Sequence, residues 1–480
     1  MSDLVKLTVD GREAQVPKGT SVLEAARLAG VFVPHYCYHP SLPVVGACRM
    51  CLVEVEGWPK LAASCATPVA EGMVVKVSSP QARAARRGVL EFLLINHPLD
   101  CPICDQAGEC DLQDYVFLEG RADSRYTEYP KRFNPAREFG PDVLYVENRC
   151  ILCTRCVRFM DHVAGEAVLS VSERGDRAYI GVDSGRALDH AWAGNVVDLC
   201  PVGSLISKDF LHKARAWELD RTESVCPGCT QGCAVSLETR GDAVVRIRPG
   251  RSAGVNRGFI CDVGRLGYGP LNRTDRIETP LVPEAGRLVP ADWDSALERT
   301  ADLLRSAKAP WVGLVSAGAS CEALEAAAKL LALGGGSGAF RVPEGPEVPL
   351  PGVPDLALRK ERAPNVQGAL AAGFARSWEE CLARARGAGL VLVLDEDPAG
   401  IEPPGESVPL VYVGTALPES ARGAAVVLPC TSVAEEEGSF VNLRGMRQSY
   451  RQAKAPPGMA RPAAWILAEV LAALGAGVPA

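Results

Sequence analysis

The sequence C-I-L-C-T-R-C at residues 150–156 decides what kind of fold this chain forms. Three cysteines spaced two residues apart can bind three corners of one cubane from a single tight loop, whereas zinc sites more often use two separated cysteine pairs. A fourth cysteine follows at position 200 and directly precedes a proline, a pairing common at such clusters. This segment therefore predicts one [4Fe–4S] cluster, with the ligands Cys150, Cys153, Cys156 and Cys200.

Two further groups of four cysteines lie on either side of this loop. The C-R-M-C pair at 48–51 leads directly into a predicted strand and favours a [2Fe–2S] cluster, although its loop is wider than the plant-type C-x4-C-x2-C spacing. The run C-P-G-C-T-Q-G-C at 226–233 fits a further [4Fe–4S] cluster, and zinc is the alternative for each group. The predicted ligands are Cys37, Cys48, Cys51 and Cys65 for the first cluster, and Cys226, Cys229, Cys233 and Cys261 for the second.

The remaining group is one ligand short. Cys101, Cys104 and Cys110 leave one corner of a cubane empty, and His97 stands four residues before the first of them, next to Pro98. A lone histidine is usually a helix-end or core residue, but the incomplete set favours His97 as the fourth ligand of a [4Fe–4S] cluster. A neutral imidazole makes the cluster less anionic, which by charge alone raises its reduction potential, as in Rieske centres.

Composition excludes several classes of function. The chain has 480 residues, 47% hydrophobic and 23% charged, as in an ordinary globular protein of several domains. A net charge of −7 leaves no basic surplus for nucleic acid. The sequence predicts neither a signal peptide nor a membrane span. In a reducing compartment, so many cysteines indicate metal binding and not disulfides.

The chain is predicted to be multidomain, α+β followed by α/β. A strand pair around Asp10-Gly11 and a following helix resemble the β-grasp fold of plant-type ferredoxins. A helix is predicted to end at His97, because Pro98 blocks its continuation. After about residue 276, continuous apolar strands alternate with helices, which predicts a parallel, doubly wound sheet.

Several weaker features of the sequence are interpreted as purely structural. Residues 121–146 are predicted to be a connector, and residues 341–366 a Pro-rich loop. The run GGGSG at 334–338 lacks a phosphate-loop pattern and is interpreted as a helix stop. The three remaining cysteines are predicted to be buried thiols, namely Cys321, Cys381 and Cys430.

The longer motifs carry a specific resemblance. The runs NHPLDCPICDQAGECDLQ at 96–113, ENRCILCTRCVRF at 147–159 and DLCPVGSL at 198–205 resemble the large iron–sulfur subunit of bacterial NADH:quinone oxidoreductase, respiratory complex I. CPGCTQGC with GFICDVGR at 258–265 resembles the iron–sulfur domain of molybdopterin oxidoreductases, and LPCTSVAEEEGSFVNLRGMRQ at 428–448 a later part of the same proteins.

The resemblance completes the predicted domain organisation. The expected domains are a [2Fe–2S] ferredoxin-like β-grasp domain at 1–79, a His/Cys-ligated [4Fe–4S] domain at 80–120, a ferredoxin-type [4Fe–4S] domain at 141–217, a molybdopterin-oxidoreductase-type [4Fe–4S] domain at 219–275 and a reduced molybdopterin-oxidoreductase-like α/β domain at 276–480. The last is short for an active enzyme, so no molybdopterin is expected, and its expected role is packing and assembly.

The resemblance also implies a role as an electron relay without a substrate site of its own. Electrons from NADH would enter at a flavin-binding subunit, pass the [2Fe–2S] cluster, the Cys150 cluster and the His97 cluster, and leave toward quinone through a ferredoxin-like two-cluster subunit. A small [2Fe–2S] subunit is a further implied partner. The implied location is the peripheral arm, on the cytoplasmic side of the inner membrane, with the Cys226 cluster off the path.

Three other classes of protein remain as alternatives. The α-subunit of an NAD-linked formate dehydrogenase has the same domain order, but normally two cubanes in the middle segment and a long catalytic half. A subunit of an NAD-reducing hydrogenase, or an iron hydrogenase, lacks the reduced C-terminal domain. A zinc-stapled scaffold would have no redox function.

Overall fold

The computed structural model describes residues 4–127, 134–250, 254–399 and 408–475. The chain forms two compact units, of which the first contains residues 1–218 and 350–354 and the second contains residues 219–349 and 355–480. Residues 128–133 of the predicted connector lie outside the described residues. Within the described ranges, no helix is both long and apolar enough to cross a membrane.

The first unit begins with the predicted β-grasp domain. Strand Leu4–Val9 pairs antiparallel with Arg12–Pro17 and parallel with Met73–Lys76, which confirms the hairpin at Asp10-Gly11. The hydroxyl of Ser21 caps helix Val22–Leu28 by accepting a hydrogen bond from the Glu24 amide. The five-stranded sheet has the order Arg12–Pro17, Leu4–Val9, Met73–Lys76, Leu52–Val55, Ala62–Ala63.

The helix that leads to the second ligand set is shorter than predicted. It spans Pro80–Leu94, with Ser79 as its cap, and so ends three residues before His97. The prediction that it continues to His97 is wrong, because a residue before proline disfavours helical dihedrals and the last turn already tightens at Ile95.

The rest of the first unit consists of short elements around cysteine-bearing loops. Its sheets join Arg137–Glu138, Val143–Tyr145 and Leu205–Ser207, and separately Leu169–Ser172 and Tyr179–Val182. Its helices and helical turns are Cys101–Ile103, Asp111–Glu119, Glu147–Arg149, Arg155–Arg158, Phe159–Val163, Gly175–Arg177, Asn195–Leu199 and Ala216–Glu218.

The second unit combines a small antiparallel sheet with a doubly wound domain. The small sheet contains Asp220–Val225, Ala234–Arg240 and Ala243–Pro249, followed by the helical turns Asp262–Leu266 and Gly269–Asn272. The large sheet has the order Arg287–Pro290, Leu281–Glu284, Val426–Pro429, Leu410–Gly414, Leu390–Leu394, Trp311–Val315, Ser337–Ala339. Its last five strands are parallel, as predicted.

Helices cover both faces of this sheet, which makes it doubly wound. Alternate residues of strand Leu390–Leu394 enter two different apolar cores. Helices Trp293–Ser306, Cys321–Leu333, Val366–Ala371 and Ala463–Ala473 contribute to one core, and Trp378–Ala385 to the other. Further described elements are the helical turn Glu419–Ala421 and the strand pair Gly438–Val441 with Arg447–Tyr450.

Three weaker predictions have different outcomes. The predicted loop at 341–366 is wrong in part, because Val348–Pro349 and Ala357–Leu358 pair as short antiparallel strands within it. The glycines after Leu333 end a helix, as predicted. The three leftover cysteines are buried, which agrees with their interpretation as apolar core residues.

Candidate metal centres

The third ligand set surrounds one small cavity. Cys150, Cys153, Cys156 and Cys200 line a single small cavity. Two residues with left-handed backbone, Leu152 (φ 52°) and Thr154 (φ 59°), flank Cys153 and turn the loop tightly enough to bring its cysteines to one cavity. Burial raises the pKa of the Cys150 thiol to about 11 and that of Cys153 to about 12. These thiols are ligands only as thiolates, so metal binding must release their protons.

In the first set, the thiols contact one another. Hydrogen bonds from Cys48 and Cys65 lower the pKa of Cys37 to about 2, and a hydrogen bond from Cys65 lowers that of Cys51 to about 6. The same contacts raise the pKa values of Cys48 and Cys65. Arg49, between the two cysteines of the C-R-M-C pair, has left-handed backbone (φ 59°), and strand Leu52–Val55 follows directly, as predicted.

The second set surrounds a larger cavity. His97, Cys101, Cys104 and Cys110 all line one cavity of about 880 Å³, which also has Leu99 in its wall. Cys101 is exposed, whereas Cys104 and Cys110 are buried. The structure therefore brings the imidazole and the three thiols to one place, and ligation by His97 stays a prediction.

The fourth set lies in the second unit. The Cys226 amide donates to the Cys233 carbonyl at 2.9 Å, which closes the loop. A Cβ on Gly264 would lie 2.9 Å from the Cys226 sulfur and 3.6 Å from the Cys261 sulfur, so both sulfurs face this glycine. Burial raises the pKa of Cys261 to about 11.

Backbone amides donate hydrogen bonds to sulfur in three of the sets. The Cys37 amide contacts the Cys48 sulfur, the Leu152 amide the Cys150 sulfur, and the Gly264 amide the Cys261 sulfur, each at 3.4 Å. Such bonds stabilise negative charge on sulfur and help to tune an iron–sulfur site.

One apolar core contains cysteines from the first three sets. Cys37 and Cys153 are fully part of it, together with Cys110, and Cys48 and Cys200 pack against it. The loop that follows Cys200 lies against the second set, since a Cβ on Gly203 would lie only 2.1 Å from the Cys104 sulfur. The three sets are therefore neighbours inside one body.

Sequence reasoning missed a group of buried arginines beside these cysteines. Arg149 pairs with Asp100 at 2.9 Å, and each precedes a predicted ligand, Cys150 and Cys101 respectively. The partly buried Arg215 donates to the Cys104 carbonyl at 2.7 Å. Arg155 and Arg158, both buried, alternate with the cysteines in C-I-L-C-T-R-C-V-R, and that alternation was the available signal.

The donor chemistry fits iron–sulfur clusters. Among the described residues, no three His, Cys, Asp or Glu side chains converge on one point as ligands of a single metal ion do. A four-iron cluster attaches each ligand to a different iron and does not need that convergence. Soft thiolates in mostly buried loops are the donors that such clusters use.

A separate cleft of about 350 Å³ lies in the second unit, at the carboxyl ends of the parallel strands. Arg341, Arg362 and Cys430 are among its lining residues. Cys430 is only 2% exposed, and burial raises its pKa well above the usual value. The absence of a molybdopterin ligand here stays a prediction.

Comparison with known families covers the same segments. The family models that match are the 2Fe-2S iron-sulfur cluster binding domain at 2–80, the NADH-ubiquinone oxidoreductase-G iron-sulfur binding region at 86–125, the ferredoxin-like domain of NADH-quinone oxidoreductase subunit 3 at 140–206, the molybdopterin oxidoreductase Fe4S4 domain at 219–273 and molybdopterin oxidoreductase at 407–473. The chain thus carries one 2Fe-2S domain and several 4Fe-4S domains.

Individual relatives agree with these matches. The G-type subunit of NADH-quinone oxidoreductase from Rickettsia bellii is 44% identical over 305 residues, which are 64% of this chain and 44% of that protein. The mitochondrial NADH-ubiquinone oxidoreductase 78 kDa subunit of Neurospora crassa is 47% identical over 298 residues, 62% of this chain and 40% of that protein. A solved chain of an NAD+-reducing [NiFe]-hydrogenase is 35% identical, with a TM-score of 0.40, and the match covers 44% of this chain and 90% of that one.

The sequence resemblance is thereby confirmed for the iron–sulfur part of the chain. The chain spans less than half the length of the curated relatives that it matches.

Proposed function

We propose that this chain, which shares the iron–sulfur domains of the large iron–sulfur subunits of NADH-quinone oxidoreductases, relays electrons between protein partners. The path runs from the Cys37 set through the Cys150 set to the His97 set. The main support for this path is one apolar core that contains cysteines of all three sets. Bound iron–sulfur clusters supply one-electron donors and acceptors at these sites.

The residues of the chain hold the sites and exclude water from them. Cys37, Cys51 and Cys153 are almost fully enclosed, and the walls of the third cavity are mostly apolar. Low solvent access strengthens each electrostatic interaction at the sites and protects them from side reactions.

The surface near the second set suits the exit of electrons to a partner. Cys101 is exposed there, and Leu99 and Phe117 are 89% and 92% exposed. Large exposed apolar side chains typically mark protein interaction sites. The partner in this proposal is the ferredoxin-like two-cluster subunit, while the flavin/NADH-binding subunit and the small [2Fe–2S] subunit deliver electrons at the first set.

The fourth set has a different role in this proposal. Its four cysteines belong to the second unit, outside the core that joins the other three sets. We assign it a structural or spectator role, and we assign the reduced α/β domain to packing and assembly without molybdopterin. The assembled protein would work in the peripheral arm, on the cytoplasmic side of the inner membrane.

Metal analysis of the anaerobically purified chain tests this proposal. We expect about 14 iron atoms per chain with matching labile sulfide, from one two-iron and three four-iron clusters. Abundant zinc with little sulfide would overturn the relay in favour of a scaffold. Stoichiometric molybdenum or tungsten with formate oxidation would overturn it in favour of a formate dehydrogenase.

A further inference from the structure

Arg158 connects two predicted ligand sets through a single side chain. It lies on the short helix Arg155–Arg158 and is 8% exposed. Its Nη2 donates to the Cys37 carbonyl at 2.5 Å and to the Cys153 carbonyl at 3.2 Å. Its Nη1 donates to the Pro43 carbonyl at 2.5 Å. The guanidinium thus binds the backbone of one cysteine from the first set and one from the third.

We propose that Arg158 is a positioning residue for electron transfer between the first and third sets. It fixes the two cysteine loops against each other and supplies one positive charge that both sets share. The inference rests on the proposed function, because only redox-active sites have a reduction potential for this charge to raise.

The charge of Arg158 lacks a carboxylate counter-ion. Every hydrogen bond that the structure gives its guanidinium ends on a backbone carbonyl or on the Thr154 hydroxyl, and among the described residues it forms no ion pair. A buried cation is costly unless negative charge lies nearby. Clusters with thiolate ligands, bound at the two sets whose backbone it contacts, would supply that negative charge.

The sign of the electrostatic effect follows from this arrangement. Reduction adds one negative charge to a site, and a nearby cation stabilises the more negative state. A buried site screens this attraction weakly. Arg158 therefore raises the reduction potentials of the first and third sets together.

The same hydrogen bonds give a bonded route for the electron. Both carbonyl contacts end on one nitrogen, so a route from Cys37 to Cys153 needs only covalent bonds and two hydrogen bonds. Electronic coupling decays more slowly along bonds than across empty space. Arg158 is not the only residue that holds the Cys37 loop in place, because Arg155 also donates to the carbonyl of the next residue, Tyr38, at 2.8 Å.

Two substitutions separate charge from hydrogen bonding. Arg158→Gln removes the charge and keeps an N–H donor, whereas Arg158→Lys keeps the charge and loses the planar fork. Arg87→Met is the matched control, because Arg87 is an exposed arginine that also donates to a backbone carbonyl, that of Glu119. Each full-length, cluster-loaded variant is assayed first for iron and sulfide and then titrated potentiometrically by EPR.

We expect R158Q to lower both potentials. At a fixed ambient potential, the reduced-to-oxidised ratio of the first and third sets should fall about tenfold, or 59 mV for a one-electron couple. The reduction potentials of the second and fourth sets should not shift. R158K should have potentials close to those of the unsubstituted protein, and R87M should have the same potentials as that protein.

The outcomes distinguish this inference from the proposed function. Unsubstituted protein without iron and sulfide would overturn the relay itself. Full iron in R158Q with unchanged potentials of the first and third sets would overturn only the role of Arg158. R158K with full iron would also overturn it if its reduced-to-oxidised ratios fell about tenfold, as expected for R158Q. If R158Q does not retain its iron, the R158K result decides whether Arg158 has this role.

Discussion

The third and fourth ligand sets have the same donors but different surroundings. The Cys150 set shares an apolar core with cysteines of two other sets. Arg158, which has no carboxylate partner among the described residues, ties it to the first set. The Cys226 set lies in the other unit. Burial raises the pKa of Cys233 there, and Arg359, whose charge opposes this rise, is already paired with Glu347 at 3.1 Å. The ligands alone therefore do not distinguish the two sets. The contacts around each set are the basis for proposing that the third set transfers electrons and the fourth does not.

Removing one ligand from each of these two sets should have the largest contrasting effects. We expect Cys153→Ala to lower NADH:quinone electron transfer in the assembled complex by more than about 100-fold, beyond the usual cost of losing a supporting residue of a metal site. Cys229→Ala should retain most of the activity, because the proposed path does not include the fourth set. Equal losses of electron-transfer activity in the two variants would contradict the proposed difference between the third and fourth sets.

The first unit also depends on a buried arginine that joins the β-grasp domain to the end of helix Asp111–Glu119. Arg86 pairs with Glu119 at 2.8 Å and donates to the Val77 carbonyl at 3.0 Å. Arg86→Met should cost about 3–5 kcal/mol of unfolding free energy, because it leaves a buried carboxylate unpaired. Chemical denaturation measures this cost.

The control is an ion pair on the surface of the same unit. Arg121 pairs with Asp123 at 3.0 Å, and both side chains are exposed. Arg121→Met should change stability by less than about 1 kcal/mol. An equal effect of the two substitutions would show that the buried pair does not hold the domains together.

The second unit should be sensitive to pH through Glu436. Burial raises the pKa of this carboxyl to about 7, and the Tyr450 hydroxyl donates to it at 2.8 Å. A raised folded pKa means that its stabilisation is present below the unfolded pKa, near 4.5, and is lost as pH rises through 7. We expect the second unit to lose up to about 3 kcal/mol between pH 5 and 8, measured by urea unfolding.

Glu436→Gln should remove this dependence while leaving the first unit unchanged. A pH profile of the second unit that is identical with and without the carboxyl would contradict the assignment to Glu436.

A smaller effect is expected where the loop after Cys200 lies against the Cys104 sulfur. Gly203→Ala should force the third-set loop away from the Cys104 sulfur, at about 1–3 kcal/mol, and should perturb the EPR signal of the second set. Gly264→Ala is the equivalent change in the second unit, where a Cβ would crowd the Cys226 sulfur, and should perturb only the fourth set. Gly88→Ala, with open space around it, is the control. A second-set signal unchanged by Gly203→Ala would contradict the contact.

Local sequence patterns predicted the main elements of the fold, and they also predicted the loops that carry the four ligand sets. Cysteine spacing is local, so C-I-L-C-T-R-C and C-R-M-C predicted their loops without tertiary information. The Asp10-Gly11 hairpin and the apolar parallel strands follow equally from local patterns.

Long-range contacts could not be predicted in the same way. Arg158 donates to a carbonyl 121 residues earlier in the chain, and Arg149 pairs with a carboxylate 49 residues earlier. Periodicity contains no information about such partners. The end of the helix at Leu94 was also missed, because the effect of Pro98 reaches beyond the residue directly before it.

The central claim is that the first three sets form one path, and magnetic coupling in the reduced chain tests it most directly. Spin relaxation of the [2Fe–2S] signal is measured by pulsed EPR in the unsubstituted protein and in the Cys153→Ala and Cys229→Ala variants. We predict that loss of the third set slows this relaxation and that loss of the fourth set leaves it unchanged. Relaxation that is unaffected in Cys153→Ala, or slowed in Cys229→Ala, would contradict the account.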